Sequence, residues 1–232
     1  MQQIIAGDCL EIMKRMKSES IDLVVTDPPY LINYRSRSKN RNNQFRAPIK
    51  NDDNPALLTQ AIPEIYRLLK PNSALYCFCS PNTVELFKSH IATFFIIKNL
   101  IIWVKNNWSS GDIKAQYAKQ YEIVIYANKG RRLLSGSRLT DVWFFNRVAG
   151  RMQLHQNQKP VDLIARMIEK SSKTGDVILD PFMGVGSTLC AAEKLGRHAI
   201  GIEIETRYCE IAKKRLHKDT TGGEERANYL SF

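Results

Sequence analysis

A short apolar run that stops at two consecutive prolines constrains the fold of this chain most. The run 21–25 is brief and rich in β-branched residues, as expected of a buried strand. Pro28 and Pro29 cannot continue the hydrogen-bond ladder of a sheet, so the chain must leave the strand at Asp27 with a stiff backbone. Because open α/β sheets bind ligands at the carboxyl ends of their strands, Asp27 and Tyr30 become candidate site residues. The alternative is an extended turn in which Asp27 accepts local backbone hydrogen bonds and Tyr30 only packs.

A second strand end, far downstream, carries an acid and a glycine-bearing loop. The sequence predicts a strand that ends at Asp180 and a helix that begins at Ser187 or Thr188. Gly184 and Gly186 lie between them and allow the backbone to approach a ligand closely. Free N–H groups and hydroxyls at a helix start suit a carboxylate or a phosphate. The loop therefore predicts a site for an anionic ligand, although a simple turn would have the same pattern.

A further acid, at a set distance from the glycine loop, strengthens this prediction. The strand predicted over 199–202 ends immediately before Glu203, which lies 19 residues after Gly184. An acid at about this spacing binds the ribose hydroxyls in nucleoside-cofactor folds. Loop, spacing and acid together indicate a cofactor that contains a nucleoside.

The two motifs give the chain a resemblance to a known enzyme family. It resembles the beta class of DNA amino-methyltransferases that use S-adenosylmethionine, in which a catalytic Asp-Pro-Pro-Tyr motif precedes the cofactor loop. The resemblance covers roughly residues 4–216. Further pieces in the family's order are Gly7-Asp8, Leu68-Leu69-Lys70-Pro71, Ile102-Trp103-Val104-Lys105, Tyr121-Glu122 and His155-Gln156-Asn157-Gln158-Lys159-Pro160. Two positions depart from the family pattern. The loop reads Gly184-Val185-Gly186-Ser187-Thr188 where the family often has Gly-Ser-Gly-Thr-Thr, and Asn157 breaks the usual His-Pro-Thr pattern. The glycines and one hydroxyl at the helix start are kept.

This resemblance implies a fold and a division of the chain. The fold class is α/β, with a doubly wound, mostly parallel, seven-stranded methyltransferase sheet of Rossmann-like type and a small inserted recognition region. One methyltransferase domain spans 1–232, with a catalytic half (1–127), a target-recognition segment (128–155), a cofactor half (156–217) and a tail (218–232). The residue pattern predicts a helix over 55–69 that Pro63 should bend or break, and an antiparallel strand pair over 100–104 and 122–127.

The resemblance assigns the catalytic residues to the first motif. An adenine amino group is a poor nucleophile because its lone pair is delocalised into the ring, so hydrogen-bond acceptors must draw that pair out. The Asp27 carboxylate and the Pro28 carbonyl are expected to accept the two amino protons. Pro29 keeps these acceptors in place, and Tyr30 stacks on the base. An aspartate before Pro-Pro-Tyr implies adenine N6 in DNA as the target, with direct displacement of the methyl group and flipping of the base. No metal is expected.

The cofactor implied by the resemblance is S-adenosylmethionine. Its expected binding residues are Asp8, Cys9, Lys159, Asp180, Phe182, Gly184, Gly186, Ser187, Thr188 and Glu203. Glu203 should bind the ribose hydroxyls, Asp8 the adenine amino group and Lys159 the carboxylate end. Asp8 could instead cap the helix that follows it, and Lys159 could be a solvated charge.

A net charge of +11 favours an anionic partner, most simply nucleic acid. The residues expected to contact double-stranded DNA are Arg35, Arg37, Lys39, Arg41, Arg46, Lys50, Trp108, Arg131, Arg132 and Arg138. The first six follow Tyr30 without an intervening acid as far as Lys50. The aromatic run 143–145 is expected to pack inside the recognition segment rather than to stack on bases.

Two other functions remain open at this point. One is an RNA or protein amide methyltransferase of related fold, and the other is a DNA-binding module that has lost catalysis. The second is disfavoured because both motifs keep the residues that their chemistry needs. The five cysteines lack the spacing of a metal site and predict reduced thiols in a cytoplasmic protein, and no segment suits a bilayer. A partner restriction nuclease is possible, and the oligomeric state, monomer or homodimer, stays open.

Overall fold

The computed structural model describes residues 1–30, 55–108, 112, 114–149, 153–154 and 158–221. The strands in these ranges are β1 (Gln2–Ala6), β2 (Ile21–Thr26), β3 (Leu69–Cys79), β4 (Ile96–Val104), β5 (Tyr121–Lys129), β6 (Val142–Phe144), β7 (Val177–Asp180) and β8 (His198–Glu203). The helices are α1 (Cys9–Arg15), α2 (Pro55–Leu68), α3 (Val84–Ala92), α4 (Val161–Ser171), α5 (Ser187–Lys194) and α6 (Thr206–Thr221). None of these helices is long and apolar enough to cross a membrane.

The strands form one sheet in the order β1-β8-β7-β2-β3-β5-β4-β6. Strand β5 is antiparallel to both of its neighbours, and all other neighbouring strands run parallel. The predicted α/β fold and the antiparallel pair β4 and β5 are confirmed. The described sheet has eight strands rather than seven, because β6 joins it within the segment predicted as an inserted recognition region. Three residues are too few to show a strand pattern in sequence.

Helices cover both faces of the sheet, and the central strands are apolar on both sides for that reason. Alternate residues of β2 belong to opposite faces: Val24 packs with Met13 of α1 and Ile62 of α2. Its neighbour Val25 packs with Leu163 of α4 on the other face. Helices α1 to α3 therefore cover one face and α4 to α6 the other, which is the doubly wound arrangement that the resemblance implied.

Helix α2 is continuous through Pro63, so the proline does not divide it in two. A proline inside a helix costs about 3 kcal/mol through the lost hydrogen bond and the ring clash. Ile62 and Ile65, on either side of it, are almost completely buried. Their burial is worth about 1.5–3 kcal/mol each, which offsets the cost of the proline.

The antiparallel direction of β5 decides which residues meet at the site. Strands β2, β4 and β7 end at the same edge of the sheet, and β5 begins there, since Tyr121 pairs with Val104. We call this edge, marked by Thr26, Val104 and Asp180, the carboxyl edge. The opposite edge, where Ile21 and Leu69 pair, is the amino edge.

Candidate active site

Asp27 follows β2 directly at the carboxyl edge. Its Oδ2 accepts a hydrogen bond from Nζ of Lys159 at 2.6 Å. Its Oδ1 is buried and has no hydrogen-bond partner among the residues that the structure describes. Burial raises the pKa of Asp27, and the charge of Lys159 opposes that shift. Lys159 thus holds one oxygen of the carboxylate, while the other is buried without a hydrogen-bond partner among these residues.

A chain of charged groups continues from Asp27 through Lys159. The Lys159 ammonium lies 3.3 Å from Oε2 of Glu122, and this same oxygen accepts a hydrogen bond from the Tyr30 hydroxyl at 2.9 Å. The other oxygen of Glu122 lies 3.2 Å from Nζ of Lys105. Burial alone would raise the pKa of Glu122, but Lys159 and Lys105 outweigh it and the pKa is lowered. The group therefore contains two carboxylates balanced by two ammonium groups.

Lys159 is 5 % exposed, and its ammonium also lies 5.1 Å from the ring centroids of both Tyr30 and Phe78. The sequence predicted that it binds the carboxylate end of the cofactor, and the structure brings it to Asp27 and Glu122. Lys105 and Glu122 were not among the predicted site residues. Lys105 directly follows β4, and Glu122 lies at the start of the antiparallel β5. Ligands of open α/β sheets bind at the carboxyl ends of the parallel strands, where β5 begins, so the predicted pairing of β4 with β5 would have indicated both residues.

Asp180 lies at the end of β7 and organises the glycine loop. Its Oδ1 accepts hydrogen bonds from the Phe182 N–H at 3.1 Å and from the Thr26 hydroxyl at 3.2 Å. Its Oδ2 accepts a bond from the Thr188 hydroxyl at 2.6 Å. Burial raises the pKa of Asp180 to about 7, against the effect of these donors. The Thr188 hydroxyl thus bonds within the protein, and Ser187, which begins α5, is the hydroxyl nearer the helix start.

Gly184 and Gly186 both adopt positive φ values, +54° and +80°. A Cβ at Gly184 would meet no described atom within 4 Å, so the space beside this glycine is open. Its N–H donates to Oε2 of Glu203 at 2.9 Å, and the Glu205 N–H donates to the other oxygen at 2.8 Å. The predicted pair of glycine loop and distal acid is therefore in direct contact.

Asp8 and Glu203 lie at the ends of neighbouring strands. Ala6 pairs with Glu203 in the sheet, and the Gly7 N–H donates to the Glu203 carbonyl at 2.9 Å. Asp8 caps α1, since its Oδ1 accepts from the Leu10 N–H at 2.8 Å and the Glu11 N–H at 3.4 Å. The capping interpretation of Asp8 is confirmed, and it leaves Oδ2 for a ligand.

Two further predicted cofactor residues lie in this region. Cys9 is buried beside Asp8, and burial raises the pKa of its thiol to about 12, so the thiol stays neutral near pH 7. Phe182 is half-buried and packs against the core on the side of α1. The other predicted cofactor residues therefore lie along the carboxyl edge from β1 to β7, whereas Lys159 contacts Asp27 after β2.

The residues predicted to contact DNA fall into three groups. Arg35, Arg37, Lys39, Arg41, Arg46 and Lys50 lie outside the described residues. His155, which was quoted only for the family resemblance, lies outside them as well. Trp108 follows β4 at the carboxyl edge and is 66 % exposed. Arg131, Arg132 and Arg138 belong to the segment between β5 and β6.

That segment runs along the amino edge. Lys129 donates to the carbonyl of Leu69 at 2.7 Å, and the Arg131 N–H donates to the Asn72 side chain at 3.0 Å. Lys170, in the last turn of α4, donates to the carbonyl of Ser137 at 2.5 Å. The six residues of β2 separate this edge from Asp27 by about 20 Å. These arginines therefore belong to the opposite edge of the sheet from Asp27.

The chain returns to the carboxyl edge through β6. Trp143 is buried under α4, where the Arg166 guanidinium lies 5.4 Å from its ring, so its predicted packing role is confirmed. Phe144 is 72 % exposed, so its predicted packing role is wrong. It follows the buried Trp143 in β6, and successive residues of a strand face opposite sides of the sheet. The Arg147 N–H donates to the Asn106 side chain at 3.1 Å, which brings this arginine to the edge that carries Trp108.

Sequence comparisons identify relatives along nearly the whole chain. A family model described as DNA methylase, of the N6/N4 methyltransferase type, matches residues 21–214. The methylase YubD of Escherichia coli is 32 % identical over 93 % of this chain and 90 % of its own length. The DNA adenine methyltransferase YhdJ of the same species is 31 % identical over 92 % of this chain and 82 % of its own length.

Solved structures of DNA methyltransferases are similar to this chain along most of its length. The complex of M1.HpyAVI with S-adenosylmethionine superposes with a TM-score of 0.72 at 29 % identity, covering 93 % of this chain and 99 % of the other. The cytosine-N4-specific PvuII DNA methyltransferase reaches a TM-score of 0.75 at 16 % identity over 99 % of this chain and 88 % of the other, which shows a shared fold. On the length of the family match and the identity to its relatives, the chain belongs to the N6/N4 family of DNA methylases.

Proposed function

We propose that this DNA methyltransferase transfers a methyl group from S-adenosylmethionine to the N6 amino group of adenine in double-stranded DNA. The observation that carries the proposal is the Asp27 carboxylate, with Oδ2 held by Lys159 and Oδ1 buried without a partner among the described residues. A buried unpaired acceptor costs about 1–3 kcal/mol, so it is expected to gain a donor when the enzyme works. An amino group of a flipped base supplies that donor.

The described residues fit S-adenosylmethionine. The open space beside Gly184 admits a ligand close to the backbone, and a side chain at that position would fill it. The carboxylates of Glu203 and Asp8 suit ribose hydroxyls and an adenine amino group, because each keeps acceptor sites beyond its bonds to backbone N–H groups. The start of α5 presents N–H groups to the carboxylate end.

The protein's part in the reaction follows from the first motif. When bound, the cofactor would supply an activated methyl group, with its sulfonium as the leaving group that takes the S–CH3 electron pair. Asp27 Oδ1 accepts one amino N–H and the Pro28 carbonyl accepts the other, which localises the lone pair on nitrogen. Tyr30 stacks on the base, and Pro29 keeps both acceptors in position. The surplus proton on N6 then passes to Asp27 or to water.

Two observations support adenine over cytosine as the target. Asp27 rather than a serine or an asparagine precedes Pro-Pro-Tyr, and the relative YhdJ is named an adenine methyltransferase. The decisive experiment incubates the protein with isotope-labelled S-adenosylmethionine and duplex DNA, structured RNA or a protein extract. Label in N6-methyladenine from duplex DNA is the expected result. Label in N4-methylcytosine, in RNA or in protein amides would contradict the proposal.

For DNA binding, we propose that the duplex lies across the carboxyl edge. Trp108, Phe144 and Arg147 are the described residues at this edge that suit bases or phosphates. The basic segment 35–50 follows Tyr30 directly, so a base held at Asp27 brings its flanking phosphates close to these charges.

Replacing Arg35, Arg37, Lys39 and Arg41 with glutamine is expected to weaken binding to all DNA sequences alike. The plot of log affinity against log salt should lose about 0.9 in slope for each phosphate contact removed. The double variant Arg131→Gln and Arg138→Gln removes charge from the amino edge and is expected to leave this slope unchanged. Filter binding over a salt series measures both. A changed slope in the amino-edge variant alone would reverse the proposed orientation of the DNA.

The two roles of Asp8 can be separated by two substitutions. Asp8→Ala removes both the cap and the ligand carboxylate, so unfolding free energy should fall by about 1 kcal/mol and cofactor affinity should weaken. Asp8→Ser keeps a capping oxygen and should restore the stability. If Asp8 binds the cofactor, Asp8→Ser still weakens S-adenosylmethionine binding by about 1–3 kcal/mol in calorimetry, as does Glu203→Ala. If Asp8→Ser binds S-adenosylmethionine with the parental affinity, Asp8 caps α1 and does not bind the cofactor.

A further inference from the structure

A buried ion-pair chain joins the two halves of the protein at Asp27. Lys159 comes from the segment before α4, in the cofactor half, whereas Asp27, Glu122 and Lys105 belong to the catalytic half. We propose that Lys159 and Glu122 are positioning residues for methyl transfer, which hold Oδ2 of Asp27 so that Oδ1 alone faces the amino group of the base. This inference rests on the proposed function, because it concerns the role of Asp27 in that reaction.

The placement of Lys159 supports a fixed rather than an adaptable ammonium. The next residue, Pro160, precedes α4 with a φ of −62°, so the backbone there is restrained. The rings of Tyr30 and Phe78 each lie 5.1 Å from Nζ, and two carboxylates lie within 3.3 Å. An ammonium with these neighbours has few alternative positions.

Glu122 is the centre of the arrangement. Its Oε2 contacts both Lys159 and the Tyr30 hydroxyl, and its Oε1 contacts Lys105. It therefore orients the cation that holds Asp27 and the ring that is expected to stack on the base. Because the charges of Asp27 and Glu122 compensate that of the Lys159 ammonium, Lys159 attracts the carboxylate of a cofactor only weakly. The same contacts that position Asp27 thus argue for a role other than cofactor binding.

The groups that act on the charge of Asp27 determine how the proposal can be tested by pH. They are Lys159, Glu122, Tyr30, Cys77, Cys79 and Asp180. Burial raises the pKa of both thiols, that of Cys79 to about 12, so they stay neutral. Asp180 is unchanged in every variant described below, so it does not account for differences between them. Lys159 lowers the pKa of Asp27 and Glu122 raises it.

Removing these two charges should therefore move the acid limb of the rate profile in opposite directions. Asp27 acts as an acceptor when ionised, so activity appears as the pH rises through its pKa. Lys159→Met removes the cation, raises that pKa and shifts the acid limb to higher pH. Glu122→Gln removes the anion and shifts the limb to lower pH. In Lys159→Met, kcat near pH 7 should fall about tenfold or more, recover partly at higher pH, and leave cofactor affinity within about threefold.

A matched control distinguishes positioning from general destabilisation. Lys129 is another largely buried lysine that lies over an aromatic ring, with its ammonium 4.6 Å from the centroid of Tyr66, but it lies at the amino edge. Lys129→Met should lower thermal stability without moving the acid limb. A shift of the limb in this variant, or none in Lys159→Met, would overturn the proposal.

A measurement without substrate keeps this inference separate from the proposed function. With ¹³C-labelled aspartate, the carboxyl carbon of Asp27, assigned by its loss in Asp27→Ala, is titrated by NMR in the parent protein and in Lys159→Met. We expect a higher midpoint in Lys159→Met. An unchanged midpoint together with a tenfold or greater loss of S-adenosylmethionine affinity would make Lys159 a cofactor ligand instead. If the midpoint shifts but no methylated adenine forms in the labelling experiment, the proposed function is contradicted. The ion-pair chain between Lys159 and Asp27 is supported in that case.

Discussion

Replacing Asp27 with alanine is expected to lower the rate of methyl transfer by about 10³-fold, while S-adenosylmethionine affinity stays within a few fold. A loss of this size corresponds to about 4 kcal/mol of transition-state stabilisation, as expected when a buried acceptor aimed at developing charge is removed. The proposed cofactor contacts follow β1, β7 and β8, and none of them is made by the Asp27 side chain. Single-turnover methylation and calorimetry measure the two quantities.

Asp22 provides a control on the same strand. It lies at the amino edge, accepts a hydrogen bond from Lys70 at 2.7 Å and another from the Val177 N–H at 2.9 Å. Asp22→Ala should therefore lower stability, by about 1–3 kcal/mol, and leave the rate of the folded protein near the parental value. Equal rate losses in both variants would mean that Asp27 acts through the fold. A parental rate in Asp27→Ala would remove it from the mechanism.

Gly186→Ala is expected to give the largest loss of stability among single substitutions in the cofactor loop. The backbone φ of +80° costs an alanine about 1–2 kcal/mol. Its Cβ would lie 2.8 Å from Cβ of Ala212, which is fully buried in α6, so the helix would have to move. Overpacking of this kind costs about 1–3 kcal/mol more. The combined loss of about 2–5 kcal/mol should lower the melting temperature by about 4–20 °C in calorimetry.

Two other glycines separate the causes of this loss. Gly175 has a φ of +85° and nothing within 4 Å of an added Cβ among the described atoms, so Gly175→Ala tests backbone strain alone and should cost about 1 kcal/mol. Gly184→Ala should be similarly mild for stability but should weaken cofactor binding, because its Cβ enters the open space. If Gly186→Ala costs no more than Gly175→Ala, the contact with α6 adjusts without penalty.

The parts of the fold that the sequence predicted are those with local signals. The strand that ends at Asp27 and the strand that ends at Asp180 were visible because an apolar run and its terminating residues are adjacent in the chain. The spacing between Gly184 and Glu203 was visible for the same reason, and the two residues are in contact through a backbone N–H.

The parts that were missed depend on residues that are distant in sequence. The contact between Asp27 and Lys159 joins positions 132 residues apart, and no pattern in either segment indicates it. The short strand β6 forms by pairing with β4. Its three residues are too few to show a periodic pattern in the sequence. The location of Arg131 at the amino edge follows from the direction of β5, which the basic pattern of the sequence does not indicate.

The order of the strands in the sheet also has a consequence for synthesis. The first strand pairs with the last, since Gln2 lies beside Ala199, and Leu23 at the centre pairs with Ile178. Such non-local pairings slow folding, because long loops must close before the contacts form. On the ribosome, the central strand therefore presents one unpaired, apolar edge until the chain has been made beyond β7. During that interval the growing chain is open to pairing with other chains, and a chaperone that covers this edge would protect it.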